Sequence, residues 1–478
     1  MEKEKNFTKE IADFDTDFVQ WYTDVVLKTE MADYGPVKGT MIIRPYGYAL
    51  WENIQRNLDQ KFKETGHENA YFPLLIPHSF FEKEKEHVEG FAPELVTVTK
   101  VGEEKLAEEL VIRSTSETVF GNMYSKWIQS WRDLPVLINQ WANVMRWEKT
   151  TRPFLRTSEF LWQEGHTAHA TEEEAREETI KMVNVYNDFA RDYLAIPMFV
   201  GQKSEREKFA GAVETYGIEA MMHDGKSLQS GTSHFLGQNF SKAFDIKFLD
   251  KDGTHKNVYT TSWGLSTRII GAIIMVHGDK RGLKMPPFVA PTQVVIVPIA
   301  MHKEGVLDKA NELKQKLVKL GLRVKLDDSD QSPGWKFNEW EMKGVPVRVE
   351  IGPRDIENNV VQIFRRDTLE KQVVNIDEME NTITKLLQDI HNNMYMQAYN
   401  YQQSHIKMVS NIDELKEAVD TGNFAKGHFC GCVDCEAHIQ EVTTAKSRVS
   451  LFEDKESDGV CVGCGKKARK LMLFGKQY

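Results

Sequence analysis

Polar side chains at alternate positions inside strand-like sequence constrain this chain more than any other feature. Residues i and i+2 of a strand project from one face of a sheet. Five such groups recur: Thr115 with Glu117; Arg146 with Glu148; Trp162 with Glu164 and His166; Thr232 with His234; and Ser266 with Arg268. A single pair reads as a salt bridge or as decoration of an edge strand. Five in one region read as a sheet face lined with polar groups, which is the floor of a ligand site.

At 478 residues the chain exceeds one ordinary core, so two or three domains are expected. Its 41% hydrophobic content fits packed globular domains. The longest apolar run, near 269–276, is far short of the roughly 20 residues of a membrane span. The charged start, Met1-Glu2-Lys3-Glu4-Lys5-Asn6, leads into no apolar stretch, so no secretory leader, no membrane association and a cytoplasmic location are expected. A net charge of −10 does not exclude a nucleic-acid partner, because phosphate contact needs only a local basic face. Lys303, Lys309, Lys314, Lys316, Lys319, Arg323 and Lys325 crowd one segment, which on charge alone reads equally as a solvated helix face.

All five cysteines, Cys430, Cys432, Cys435, Cys461 and Cys464, lie near the C-terminus. Two groups about 25 residues apart, each near glycine, read as a tetrahedral thiolate zinc site rather than a disulfide framework. The spacing leaves open whether Cys430 or Cys432 is the fourth ligand.

The loop-like stretch 278–287, rich in glycine and proline, divides a large first segment from a smaller one. There, the run Val294-Val295-Ile296-Val297-Pro298-Ile299 predicts a buried strand, and Val306, Leu313, Leu317 and Leu320 predict an amphipathic helix. A strand over 322–326, a helix near 335–343, and strands over 347–351 and 360–364 follow. The alternation predicts a small α/β domain with a mostly parallel sheet. The divisions expected are 1–285, 286–398 and 399–478.

The residues of the first segment resemble a known family. Arg146-Trp147-Glu148, a short loop, and Phe154-Leu155-Arg156-Thr157-Ser158-Glu159-Phe160 resemble motif 2 of class II aminoacyl-tRNA synthetases. Gly264-Leu265-Ser266-Thr267-Arg268 resembles motif 3, and the segment ending in Pro77 resembles motif 1. Within that class, Thr115-Ser116-Glu117, Phe160-Leu161-Trp162-Gln163-Glu164-Gly165-His166 and Ser262-Trp263-Gly264-Leu265 are similar to the prolyl-tRNA synthetases, over nearly the whole chain. The resemblance implies an α+β catalytic domain built on an antiparallel sheet with flanking helices, then an α/β anticodon-binding domain and a small zinc-binding α+β domain. It implies the archaeal/eukaryote-like type without an inserted editing domain, since only about a hundred residues separate Phe160 from Arg268 and a further domain takes at least about 50.

The roles implied are these. Arg146 and Arg268 are catalytic, neutralising phosphate charge during adenylation. Thr115, Glu117, Arg146, Trp162, Glu164, His166 and His234 hold L-proline. Arg146, Glu148, Arg156, Thr157, Gln229, Thr232, Ser266 and Arg268 hold ATP with its Mg²⁺. In the second segment, the stretch from Gly334 to Arg354 resembles the anticodon domain, with Arg348, Arg354 and Glu341 as readers of the guanines of tRNA(Pro). The resemblance favours Cys430, Cys435, Cys461 and Cys464 as ligands of a structural Zn²⁺, a C-terminal tyrosine (here Tyr478) reaching back to the catalytic domain, and a homodimer through motif 1. A threonyl- or histidyl-type enzyme and a catalytically inactive paralogue are the competing readings. The pocket of Trp162, Glu164 and His166 opposes the first, and the presence of Arg146, Glu148 and Arg268 opposes the second.

Overall fold

The strand Glu159–His169 sends Trp162, Glu164 and His166 to one face and Gln163, Gly165 and Thr167 to the other. In the computed structural model, which describes residues 11–83, 95–454 and 456–478, this strand is central to an eight-stranded sheet. The charged segment Met1–Asn6 lies outside the described residues. In spatial order the strands are Ser450–Leu451, Phe199–Gln202, Glu214–Met221, Ser227–Gly237, Tyr259–Ser266, Glu159–His169, Val136–Met145 and Glu68–Asn69. Every neighbouring pair is antiparallel except the last, which is parallel.

The register turns the sequence alternation into rows. His166 pairs with Ser262, Ser262 with His234, and His234 with Thr215. One step along, Glu164 pairs with Gly264, Gly264 with Thr232, and Thr232 with Gly217. The two glycines thin the floor between polar walls.

The reverse face packs on the helix Glu172–Leu194 through Trp263 and Leu265, with Gln163 and Ser233 donating to the Tyr186 hydroxyl and the Thr179 carbonyl of that helix. That helix starts at a reciprocal cap between Thr171 and Glu174 and buries Met182, Val183, Tyr186, Phe189 and Ala190 at helical spacing. Trp263 lies fully buried on this side, directly across from Gly165. A Cβ on Gly165 would come within 2.1 Å of the Trp263 ring. Glycine is therefore demanded here by close approach of an indole.

The helix Pro45–Glu64, with proline at its start and Leu50, Trp51, Ile54, Leu58 and Phe62 on one buried stripe, adds to the same core. The segment ending in Pro77 forms a short strand in a separate three-stranded sheet with Thr97–Val101 and Glu104–Ile112.

Beyond the linker a five-stranded sheet runs Val324–Leu326, Val294–Pro298, Val347–Ile351, Val360–Arg365, Lys371–Asn375. The expectation of a mostly parallel sheet is corrected. The first three strands are parallel, but the last two join antiparallel, because only the five-residue helix Pro353–Glu357 and then a tight turn separate them in sequence. Leu320 is also corrected: it lies past the helix Val306–Lys319 and is 50% exposed. Arg323 serves the linker, donating to the carbonyls of Ala290, Pro287 and Phe288, and so leaves the basic segment.

The helix Met379–Ser404 runs without a break through the division expected at 398. It leads to a four-stranded sheet of Ile406–Val409, Phe424–Phe429, Lys470–Gly475 and Lys446–Ser447. This last segment does not stand apart, since its strand Ser450–Leu451 extends the catalytic sheet through Phe199–Gln202.

Overpacking a filled core costs about 1–3 kcal/mol. Gly165→Ala should therefore lower the urea unfolding midpoint of the catalytic region. Gly334→Ala, whose Cβ would meet nothing within 4 Å, should leave it unchanged. An unchanged midpoint for Gly165→Ala would show that the indole does not occupy that space.

Candidate active site

The polar face opens into a cavity of about 190 Å³ lined by Thr115, Glu117, Arg146, Trp162, Glu164, His166, Gln229, Thr232, His234, Ser266 and Arg268. The structure thus gathers eleven sequence-predicted residues drawn from positions far apart in the chain. The strand reading held for Trp162, Glu164 and His166 and for Thr232 and His234. It is corrected for the other three groups. Glu117 opens the helix Glu117–Trp127 with Thr115 in the preceding turn, Arg146 and Glu148 follow the end of Val136–Met145, and Arg268 begins the helix Arg268–His277 just after Ser266 ends its strand. These side chains reach the cavity from strand ends rather than from the sheet face.

Glu164 is the buried anchor. Its carboxylate accepts from the Ser116 backbone N–H at 3.1 Å, the Ser116 hydroxyl at 2.5 Å and the Gln140 amide at 2.6 Å, and it meets His166 Nε2 at 2.9 Å. It therefore fixes the turn that presents Thr115 and Glu117, where the Thr115 hydroxyl donates to Glu117 at 2.5 Å. His166 stacks on Phe120, with ring centres 4.1 Å apart.

Arg146 and Arg268 also line the cavity. Arg146 donates from Nε to the Ser114 carbonyl at 3.0 Å, and its guanidinium lies 5.3 Å from the Trp162 ring and 5.6 Å from that of Phe160. Arg268 donates from Nε to the Leu155 carbonyl at 2.9 Å. Burial, with the like charges of Arg146 and Arg156, pulls its pKa down to about 10, so it stays cationic at neutral pH. Cations held together at some electrostatic cost mark a place for an anion.

Glu148 and Arg156 face each other at 3.6 Å beside the cavity rather than in its lining, and the buried Thr157 donates its hydroxyl to the Glu159 carbonyl. Sequence reasoning missed Phe160, Glu207, Phe209, Thr215 and Ser262, all of which line the cavity. Trp162 Nε1 and Ser262 Oγ are buried with no protein partner, as expected of groups kept for a ligand.

In the five-stranded domain, Arg348 lies between the rings of Phe337 and Phe364, 4.1 Å from each centre, and donates to Glu350. Glu341 lies 4.0 Å away and also pairs with Arg281. Arg354 is exposed on the short helix Pro353–Glu357, apart from this group.

In the last segment, the sulfurs of Cys430, Cys435, Cys461 and Cys464 lie within 4.8 Å of one another, with two separations of 3.7 Å. Zn–S bonds of about 2.3 Å place tetrahedral sulfurs about 3.8 Å apart, so the four thiols fit zinc. Cys432 stands outside the four, its backbone N–H donating to Cys430 Sγ.

The chain ends against the catalytic domain. Ser227 donates to the Lys476 carbonyl, Tyr478 donates from its backbone to Ser227, and its phenol donates to Asp224 at 2.5 Å.

A largely antiparallel sheet with two arginines in its cavity, beside a separate α/β domain, is the arrangement of a class II aminoacyl-tRNA synthetase. Comparisons with known proteins agree. Residues 99–277 match the "tRNA synthetase class II core domain (G, H, P, S and T)", 293–386 the "Anticodon binding domain", and 412–478 "Prolyl-tRNA synthetase, C-terminal". The proline–tRNA ligase of Alkaliphilus oremlandii is 59% identical over all of this chain and 99% of its own length, and that of Clostridium novyi is 59% identical over all of both. A prolyl-tRNA synthetase structure from Cryptosporidium parvum, complexed with halofuginone and AMPPNP, matches 98% of this chain and 99% of that one, with a TM-score of 0.94 and 44% identity. The chain belongs to the prolyl-tRNA synthetases, the ATP-dependent ligases that activate L-proline as prolyl-adenylate and transfer it to the 3′ end of tRNA(Pro).

His234 gives the pocket a pH signature. Its ring lies between the Thr215 and Thr232 hydroxyls and stacks on Phe209. Burial pulls its pKa down to about 4, against the opposing charge of Glu117 and with help from His166, Arg146 and Lys203. The unfolded chain takes up this proton near pH 6.5, where the folded chain refuses it. Stability from this group is therefore full above about pH 6.5 and falls as pH drops toward 4. The urea midpoint should fall from pH 7 to pH 5, and by less in His234→Asn. The slope left in that variant should come from His169, His223, His277 and His391, whose pKa values burial also lowers. Equal slopes would show that His234 is not buried neutral.

Proposed function

We propose that the cavity is divided between the two substrates of adenylation, and that the paired arginines carry the chemistry between them. The observation behind this is Arg268 held with Arg146 over a floor of small and polar residues. Adenylation is an in-line attack of the proline carboxylate on the α-phosphate, with pyrophosphate leaving, and the attacking carboxylate is already ionised at neutral pH. The work left for the protein is positioning and charge neutralisation. Arg146 bridges carboxylate and α-phosphate, and Arg268 takes the γ-phosphate; both are oriented through Nε.

The proline ring sits against Trp162 and His234, with Thr115 and Glu117 on its secondary ammonium. Glu164 and His166 act by holding that wall. Glu148, Arg156 and Thr157 belong to the adenine and triphosphate side. Gln229, Thr232 and Ser266 offer oxygen atoms on the side where Mg²⁺ accompanies ATP, which suits a hard cation.

The remaining reading follows the same lines. The division into 1–285, 286–398 and 399–478 assigns catalysis, anticodon binding and zinc binding in turn. Glu341 and Arg348 read anticodon guanines from one ordered cluster, and Arg354 contacts the tRNA at its rim. Cys430, Cys435, Cys461 and Cys464 hold a structural Zn²⁺. The chain from Phe160 to Arg268 is taken up by the catalytic sheet, its helix Glu172–Leu194 and short connections, which supports the absence of an inserted editing domain. That absence and the 44% identity to the Cryptosporidium structure support the archaeal/eukaryote-like type. We place the enzyme in the cytoplasm as a homodimer; among the described residues no helix is long and apolar enough to cross a membrane.

Losing one preorganised donor costs roughly 10²–10³ in rate. Arg146→Ala and Arg268→Ala should each lower proline-dependent ATP–pyrophosphate exchange by that much, with unchanged thermal unfolding. Near-normal exchange in either would remove it from the chemistry. Metal analysis tests the zinc ligands: Cys430→Ser should lose zinc and Cys432→Ser should keep about one equivalent. The reverse outcome would exchange the two assignments.

A further inference from the structure

The loop 203–212 supplies Glu207 and Phe209 to the cavity, and its first half is pinned from the far end of the chain while its second half is held by the catalytic sheet. The Ser204 hydroxyl donates to Glu436 at 2.8 Å and accepts the Glu207 backbone N–H at 3.2 Å. Glu436 is 3% exposed, and the Ser447 hydroxyl donates to the same carboxylate oxygen. Glu207 itself pairs with Lys446 at 3.2 Å. At the start of the loop Lys203 meets Glu219, whose carboxylate Arg448 also binds at 3.1 Å. On the cavity side Phe209 donates from its backbone to Thr215 at 2.9 Å and stacks on His234, ring centres 4.5 Å apart.

We infer that the C-terminal domain is part of the amino acid pocket, acting through Glu436 as the positioning residue for the loop 203–212. Glu436 neighbours Cys435 on the helix Val433–Thr443, so the carboxylate that holds Ser204 sits beside the cysteine cluster. The path is Cys435 and Glu436 to Ser204, Ser204 to Glu207, and the loop to Phe209 and His234. The path enters the cavity at His234, where the proline ring is placed. The expected effect is on proline affinity rather than on ATP affinity or on the chemical step. The inference rests on the reading that proline lies against Trp162 and His234.

The test is pyrophosphate exchange with full-length enzyme, measuring KM for proline and for ATP separately. Removing a partner from a buried charged hydrogen bond should raise the proline KM about ten-fold in Glu436→Ala and in Ser204→Ala, with the ATP KM and kcat within about two-fold. Glu436→Gln, which keeps an acceptor for Ser204, should recover most of the loss. The double variant should be no worse than the poorer single one, because both break the same link. Zinc content and thermal unfolding of Ser204→Ala, which leaves the C-terminal domain intact, separate this effect from misfolding. Equal rises in both KM values, or an unchanged proline KM, would overturn the inference. Trp162→Ala distinguishes the two levels. If it raises the proline KM while Glu436→Ala and Ser204→Ala do not, the coupling alone is wrong; if none does, the pocket reading has failed with it.

Discussion

The buried carboxylate of Glu164 is the constraint on which the site depends. A charge taken out of water is tolerated only when its lone pairs are met. Here the Ser116 backbone and hydroxyl, the Gln140 amide and the His166 ring meet them. Those partners come from three separate stretches of chain, so satisfying one anion brings a central strand, its neighbour and the Thr115–Glu117 turn into one rigid unit. The cavity wall of Thr115, Glu117 and His166 is a by-product of that requirement. The reverse face carries the matching constraint in apolar form, where Trp263 fills the space that Gly165 leaves.

Arg146 and Arg268 are held on the opposite principle. Burial disfavours the Arg268 charge, and the like charges of Arg146 and Arg156 add to the cost. Carbonyl acceptors at Ser114 and Leu155 hold Arg146 and Arg268 in place despite it. The net charge of −10 says nothing about this arrangement, since the local field comes from a few fixed groups.

Period-two spacing along Glu159–His169 and Ser227–Gly237 made Trp162, Glu164, His166, Thr232 and His234 legible, because a strand's faces follow directly from sequence parity. The same spacing at Thr115 and Glu117, at Arg146 and Glu148, and at Ser266 and Arg268 pointed to cavity or near-cavity residues for the wrong local reason. These positions straddle element ends, where parity no longer fixes direction. Family resemblance, rather than periodicity, identified them. Glu207 and Phe209 were not legible at all. Lys203-Ser204-Glu205-Arg206-Glu207-Lys208 reads as a solvated charge run, and the group that holds it, Glu436, is 232 residues from Ser204. Spacing alone fits both Cys430 and Cys432; the family resemblance favoured Cys430, and Cys430 is the one that clusters with the other three sulfurs.

Selection of proline by the same cavity that binds ATP is open to direct measurement. Amino acid-dependent ATP–pyrophosphate exchange measures this most directly, with purified enzyme and proline, alanine, cysteine and threonine supplied in turn. Proline should give the highest kcat/KM. Alanine should give slower but measurable exchange, since a missing methylene costs only about 1–3 kcal/mol in an apolar pocket. Threonine should give none above background. Exchange as fast with threonine as with proline, or no exchange with proline, would contradict the account.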